Sequence, residues 1–406
     1  MELFLLEHKK LWKRANTKIS VFLCFLYLVV FGSILSFQYF NFGSRDDFTT
    51  GGGLFGNNFD GYDAIRDRQE YALSFGGDLT DETLQQVVRD YQRMASADAK
   101  RAWDLTDWII INDWLRTLWP ELQELGSYQV SIDYYEPEKL TDFYERRQTA
   151  IEDFLEINNQ TGKEKEYLLK MNEKVKTPFH YEWAQGWSVI LGSTVAETGI
   201  VIGLFLAIAL SSSFSGEWRD NTGTLLLTTK NGWEKVAFAK IFSGLAFAAE
   251  LFTLIAAGNI LSQLFFIGTE GWDMPIQIMK PTAVAPMNML QAEIYEYAFT
   301  LLCAVGLAGI VMLISAAVKS NVVSLILCMA VLFVPTAVAQ YLPYQVQKLL
   351  DLIPFVGSGA DVFRTNTFQI FGKVIWSPYL LITVPVLLGI LCIPIAVKRW
   401  ARRLKV

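Results

Sequence analysis

The sequence predicts an all-α integral membrane protein with six transmembrane helices, an N-terminal interfacial helix and a mainly α-helical external domain. Three observations carry that prediction. The 406 residues are 52% hydrophobic, a composition that favours a membrane protein over a soluble one. Apolar runs of roughly twenty residues recur, the length a helix needs to cross a hydrocarbon core of ~30 Å. Lys and Arg gather at both ends of the chain and in one polar island between two of those runs, a distribution that orients the spans by the positive-inside rule.

Residues 1–18 form a cytoplasmic amphipathic helix. Phe4, Leu5, His8, Leu11 and Trp12 share one helical face, while Lys9, Lys10, Lys13 and Arg14 lie mostly elsewhere, so the helix should rest in the interface. Span one is 19–37; its apolar run is too long for a signal-peptide core and lacks a small-residue exit. Residues 38–186 are the one sizeable polar block, enough for a domain with its own core. It opens on the glycine-rich linker TTGGGLFGNN. Thr80 reads as an N-cap, with Asp81 and Glu82 in the first turn and Leu79 stapled to Leu84. A second helix is expected over 99–118, ending before Pro120, with Leu105, Trp108, Ile109 and Leu115 on one side. Trp103, Ile110 and Trp114 take the other side, which either packs within the domain or captures an apolar or peptide substrate. Tyr128, Val130, Ile132 and Tyr134 alternate with polar residues at strand period, and helices should follow over 137–157 and 162–174.

The remaining spans are 187–212, 236–267, 297–318, 322–339 and 379–397. Between them lie a cytoplasmic loop at 213–235 and external segments at 268–296, which carries Glu293 and Glu296, and at 340–378; 398–406 is a cytoplasmic tail. With this layout Lys and Arg outnumber acids three to one inside, while acids prevail outside. Both termini are therefore cytoplasmic and the chain is multi-pass. Trp183, Trp187, Trp272 and Trp376 mark outer span ends and Trp12, Trp218, Trp233 and Trp400 inner ones, as an aromatic belt requires. Cys24, Cys303, Cys328 and Cys392 all fall within spans, leaving the external part without disulfides.

No phosphate-binding Gly-x-x-x-x-Gly-Lys-Ser/Thr loop occurs, and the two histidines, His8 and His180, belong to no metallopeptidase pattern. The chain is not read as an enzyme, and no catalytic, cofactor or metal residue is expected in it. Two carboxylates lie within spans, Glu197 and Glu250. Counted from the inner ends, both sit ~21–22 Å along their helices, so they either line a substrate pathway together or are separately solvated or protonated.

The polar island FSGEWRDNTGTLLLTTKNGWEKVAFAK has a pattern of its own. Phe214, Glu217, Gly223, Thr224, the leucines 225–227 and Lys240 recur in order and spacing much as in permease subunits of the ABC type-2 exporter family, which the chain resembles more weakly throughout its six-span layout. The resemblance implies that Phe214, Glu217, Gly223, Thr224, Leu226 and Leu227 belong to a short coupling helix that docks on a separate ABC ATPase subunit, and that ATP and Mg bind there rather than here. It further implies a homodimer or a heterodimer with a similar permease, in a bacterial plasma membrane and in contact with its lipid, with no nucleic-acid partner. Substrates in that family range over drugs, antimicrobial peptides, lipids and polymers. The alternatives from the residues alone are a solvated loop with interfacial leucines and, for the whole chain, a membrane sensor or envelope tether driven by an ATPase.

Overall fold

The structure is a computed structural model and describes residues 1–28, 62–106, 108–122, 132–183, 185–189, 191, 195–228, 233–356 and 362–402. Two helices open the chain, α1 (Glu2–Lys13) and α2 (Ala15–Tyr27), separated at Arg14 by one extended residue. The 13 residues of α2 make only ~20 Å of helix, and the rest of the expected first span, like the glycine-rich linker, lies outside the described residues.

The polar domain begins with α3 (Tyr62–Ser74), β1 (Gly77–Asp78), α4 (Asp81–Ala97), α5 (Ala99–Leu105) and α6 (Trp108–Leu118). The Thr80 cap is present: its hydroxyl accepts the Thr83 amide at 3.3 Å, and Leu79 and Leu84 are both buried. The single helix expected over 99–118 is instead two, because Thr106 is extended at ψ 141° and turns the chain between them. The expected strand is also corrected where it is described: Ile132–Tyr134 is a single 3-10 turn, and Tyr128 and Val130 lie outside the described residues. Next come α7 (Phe143–Ile157), α8 (Lys163–Asn172), the short strand β2 (His180–Tyr181), antiparallel to β1, and α9 (Gln185–Val189).

Membrane-level helices follow as α10 (Val195–Leu210), two short helices α11 (Ser215–Arg219) and α12 (Gly223–Thr228), then α13 (Lys235–Ile267), α14 (Met289–Ala317) and α15 (Asn321–Ala339). After α16 (Tyr344–Leu350), an antiparallel hairpin of β3 (Thr367–Ile370) and β4 (Lys373–Trp376) leads into α17 (Ser377–Arg402). Five stretches among the described residues are long and apolar enough to cross a membrane: Thr198–Arg219, Lys235–Leu261, Met289–Ala317, Asn321–Ala339 and Ser377–Arg402. The first of these is 78% buried within the protein and forms the centre of the bundle, whereas the fourth is only 17% buried and presents Val322, Ile326 and Phe333 outward, as a lipid-facing helix should. Helices α14 and α17 approach to backbone contact: a Cβ on Gly306 would stand 2.4 Å from the Pro385 carbonyl oxygen.

Span four starts eight residues earlier than expected. Asn288 caps α14 through a reciprocal capping box, accepting the Gln291 amide at 2.8 Å while its own amide donates to Gln291 Oε1 at 3.1 Å. Glu293 and Glu296, expected in an external segment, therefore sit in the first turns of the span and are both 4% exposed.

The domain core is not confined to one stretch of chain. Around Leu84, Leu115, Phe143 and Ile151 it takes in Met274, Ile276, Ile278 and Ala283 from the connection between α13 and α14, Val362 from before the hairpin and Trp376 from the end of β4. Trp114 Nε1 donates to Ile278 O at 2.7 Å. The buried Arg147 guanidinium donates to Pro281 O at 2.8 Å, Ala283 O at 3.0 Å and Asn172 Oδ1 at 2.8 Å. With no carboxylate among these acceptors, burial pulls that guanidinium down to about 10. The connections expected to be separate external segments are thus parts of the domain, and Trp114 packs inside it.

Candidate functional site

The polar island hangs from a deliberate break in the bundle. After α10, the Ser211 carbonyl accepts the hydroxyls of Ser315 and Ser324, each at 2.7 Å, and the Ser315 hydroxyl in turn receives the Phe214 and Ser215 amides at 2.9 and 3.2 Å. Three serines from α14, α15 and the end of α10 thereby replace the helical hydrogen bonds lost at the break, as buried backbone groups require. Phe214 is wholly buried against Trp400, ring centroids 5.3 Å apart. Trp218 meets the same tryptophan edge-on at 5.8 Å, and the Lys319 ammonium stands 5.3 Å over the Trp218 ring. Asn221, at φ 56°, reverses the chain between α11 and α12. Gly223 then lies so close to Trp218 that a Cβ there would be 3.1 Å from the indole.

At the centre of this arrangement is Glu217, 2% exposed. Its Oε1 accepts Lys10 Nζ at 2.6 Å, Lys240 Nζ at 2.7 Å and Arg14 Nη2 at 3.3 Å, and its Oε2 accepts the Thr222 hydroxyl at 2.6 Å. Lys240, itself buried, also reaches Glu7 Oε2 at 2.7 Å. A buried carboxylate is tolerable only when paired and hydrogen-bonded, and here the pairing ties α1, the α1–α2 corner, α11 and α13 to one side chain. Arg14 adds bonds of 3.2 and 3.3 Å to the carbonyls of Ser212 and Ser213, a cation where the end of α10 carries negative dipole.

The island residues assigned to coupling by sequence, a set that leaves out Leu225 of the leucine run, divide into two groups. Phe214, Glu217 and Gly223 point inward and hold the island in place. Thr224 is exposed and Leu226 half-buried against the bundle core, while Leu225 is 68% exposed; the Leu227 side chain lies outside those described. Charged Arg219 and Asp220 flank this outer face, bonded to one another at 2.8 Å. As a unit the site offers no nucleophile or acid–base pair. What it offers is mechanical: a surface ridge whose root is bonded to helices throughout the bundle.

The equal depth expected for Glu197 and Glu250 does not hold. Glu250 is half-exposed and pairs with α1, its carboxylate 3.0 Å from His8 Nε2 and 3.1 Å from Trp12 Nε1. The Glu197 side chain is outside those described, but its neighbour Thr198 accepts from Asn259 Nδ2 at 2.9 Å, nine residues and therefore ~13 Å further along α13. The reason is length. The 33 residues of α13 make about 50 Å of helix, ~20 Å more than a hydrocarbon core, and the surplus runs beside α1. Counting depth from its first residue misplaces everything on it. Asn259 is buried at this level, joined through Thr198 to the Tyr27 hydroxyl at 3.4 Å. Glu7, Lys10 and Arg14 were unassigned to the site, and Lys240, named in the island's pattern, was not paired there with Glu217; the only local sign was that cations occupy a helix packing against a span that itself begins with lysines. No family model, curated protein or solved structure gives a match to this chain.

Proposed function

We propose that this chain is the transmembrane permease subunit of an ATP-driven exporter, with six spans, both termini in the cytoplasm of a bacterium, and hydrolysis of ATP with Mg carried out by a separate ABC ATPase subunit. The observation that carries the reading is the island between α10 and α13. Its root is fixed by Glu217 and Phe214, and its outer face presents Thr224 and Leu225 with Arg219 and Asp220 beside them. An exposed leucine on a rigidly rooted polar loop suits a cleft on another subunit, and this matches the role the resemblance assigns to the island. Two such chains, identical or similar, would complete the assembly, and the substrate leaves the cytoplasm or inner leaflet. A second reading, a sensor or envelope tether moved by the same ATPase, draws support from the composite domain, whose core reaches several span ends and would pass motion outward.

The test is co-purification from membranes with an ABC ATPase subunit co-expressed with this chain. Leu225→Asp changes only the exposed face and should lower ATPase recovery at least tenfold while the permease elutes unchanged. Full recovery and coupled hydrolysis in that variant would remove the docking role. Stimulation of ATPase by a transported compound separates the export reading from the sensor.

A further inference from the structure

After α16 the chain turns back into the bundle. Leu352 packs against the bundle core, and Phe355, 6% exposed, belongs to it. The Phe355 ring lies across two glycines one turn apart on α10, the central helix. A Cβ on Gly199 would stand 2.9 Å from ring atom Cδ1, and one on Gly203 would stand 3.2 Å from Cδ2, with Leu332 of α15 at 2.9 Å and Leu307 of α14 at 3.4 Å. Cys303 of α14, wholly buried, lies against the Phe355 backbone. One ring thus fills the place where α10, α14 and α15 meet.

That place is deep. Leu307 and Leu332 are ten and eleven residues from the helix ends that meet at the Lys319 turn, which puts them ~15–17 Å along their helices, near the middle of a hydrocarbon core of ~30 Å. Backbone that is not helical is tolerated at such depth only where protein buries it or where it lines a wet cavity. The seat is also strained. Phe355 has φ 62°, a left-handed conformation that crowds the Cβ of a bulky residue and that persists only where the surroundings impose it, commonly at clamps and switches. The adjoining Val356 carbonyl is held by the Thr336 hydroxyl at 3.4 Å, a donor shared with Leu332 O at the same distance. Seven residues beyond Phe355, Val362 lies in the domain core and its amide donates to Glu296 Oε1 at 3.1 Å.

We propose that Phe355 is a withdrawable wedge: seated, it closes the junction of α10, α14 and α15, and drawn out it opens a cleft that admits water as far as Cys303. Leaving the seat releases the strained backbone, and Val362 gives the domain a hold on the wedge. The device stands whether the chain exports or senses, because it rests on packing alone.

The test uses the full-length protein in lipid nanodiscs, with Cys24, Cys328 and Cys392 changed to Ala so that Cys303 is the one thiol. Its modification by a cationic, water-soluble methanethiosulfonate is followed in time. Gly199→Val, or Gly199→Ala if the first does not fold, unseats the ring without altering the segment that carries it, and Phe355→Ala removes the ring. Each should raise the Cys303 rate at least tenfold over the parent. A parallel protein keeps only Cys24, buried on α2, and its rate should stay the same in every variant. Equal Cys303 rates in parent and variants overturn the proposal, the ring then being fixed packing. So does a Cys24 rate that rises in step with that of Cys303, which marks a bundle loosened throughout.

Discussion

Glu217 decides how firmly the island is held. Exchanging it for Gln keeps the shape and the Thr222 bond but removes the negative charge that faces Lys10, Arg14 and Lys240, leaving buried Lys240 with Glu7 alone. Breaking a buried pair by one partner costs ~3–5 kcal/mol, far more than the pair contributes against an apolar replacement. Glu217→Gln should therefore lower the thermal midpoint in detergent by that equivalent, and Glu217→Gln with Lys240→Met should regain most of the loss. A single variant that melts with the wild type would mean the cluster is not holding the island. The sequence pointed to Glu217 through its neighbours in the island, but not to its purpose. Its partners lie 203 and 207 residues earlier in the chain, and nothing local to an amphipathic helix tells which of its lysines will turn inward.

Whether an element could be read in advance depended on how local its causes are. The start of α4 was legible because Thr80, Asp81, Glu82, Leu79 and Leu84 are contiguous and act on one another. The start of α14 was written in the same grammar, Asn288 with Gln291, yet the acids Glu293 and Glu296 outweighed it, since charge normally marks the edge of a span. Their burial depends on the domain above: Glu296 Oε1 accepts the Val362 amide at 3.1 Å, a bond between residues far apart in sequence. The connection between α13 and α14 is an element of this non-local kind, and Arg147 is its main attachment. Arg147→Met would strand two acceptors, Pro281 O and Asn172 Oδ1, at ~1–3 kcal/mol each when buried, while Ala283 O keeps the Gln277 amide at 3.2 Å. The variant should be cut by chymotrypsin within residues 272–288, at Trp272, Met279 or Met287, at least tenfold faster than the wild type, in a protein whose helical content is unchanged. Unaltered cleavage would show that apolar packing of Met274, Ile276 and Ile278 suffices.

For the whole molecule, orientation rests on charge. The polar domain and the basic chain ends occupy opposite ends of the bundle in sequence-based reading, so a cysteine at the exposed Lys163 should react with an impermeant maleimide in intact cells, and one at the exposed Lys398 only after lysis. The reverse pattern would invert the topology and place the island outside, where no ATPase could reach it. Composition and the spacing of apolar runs were enough to read a helical membrane protein; five of the expected spans correspond to apolar helices here, with ends displaced where caps and surplus turns intervene. What could not be read was how the polar stretches assemble, because that is settled by contacts between segments the membrane keeps apart along the chain.

That assembly has a consequence in time. Leu79 and Ile278 share one core, yet ~200 residues are made between them, about 10–40 s of synthesis at 5–20 residues per second. The first-made helices of the domain must wait, with Trp114 Nε1 and two of the three Arg147 bonds unmet, until the chain has reached Ile278, Pro281 and Ala283. The domain is thus a unit in space but not along the chain, and its core closes only once the connection between α13 and α14 has been made.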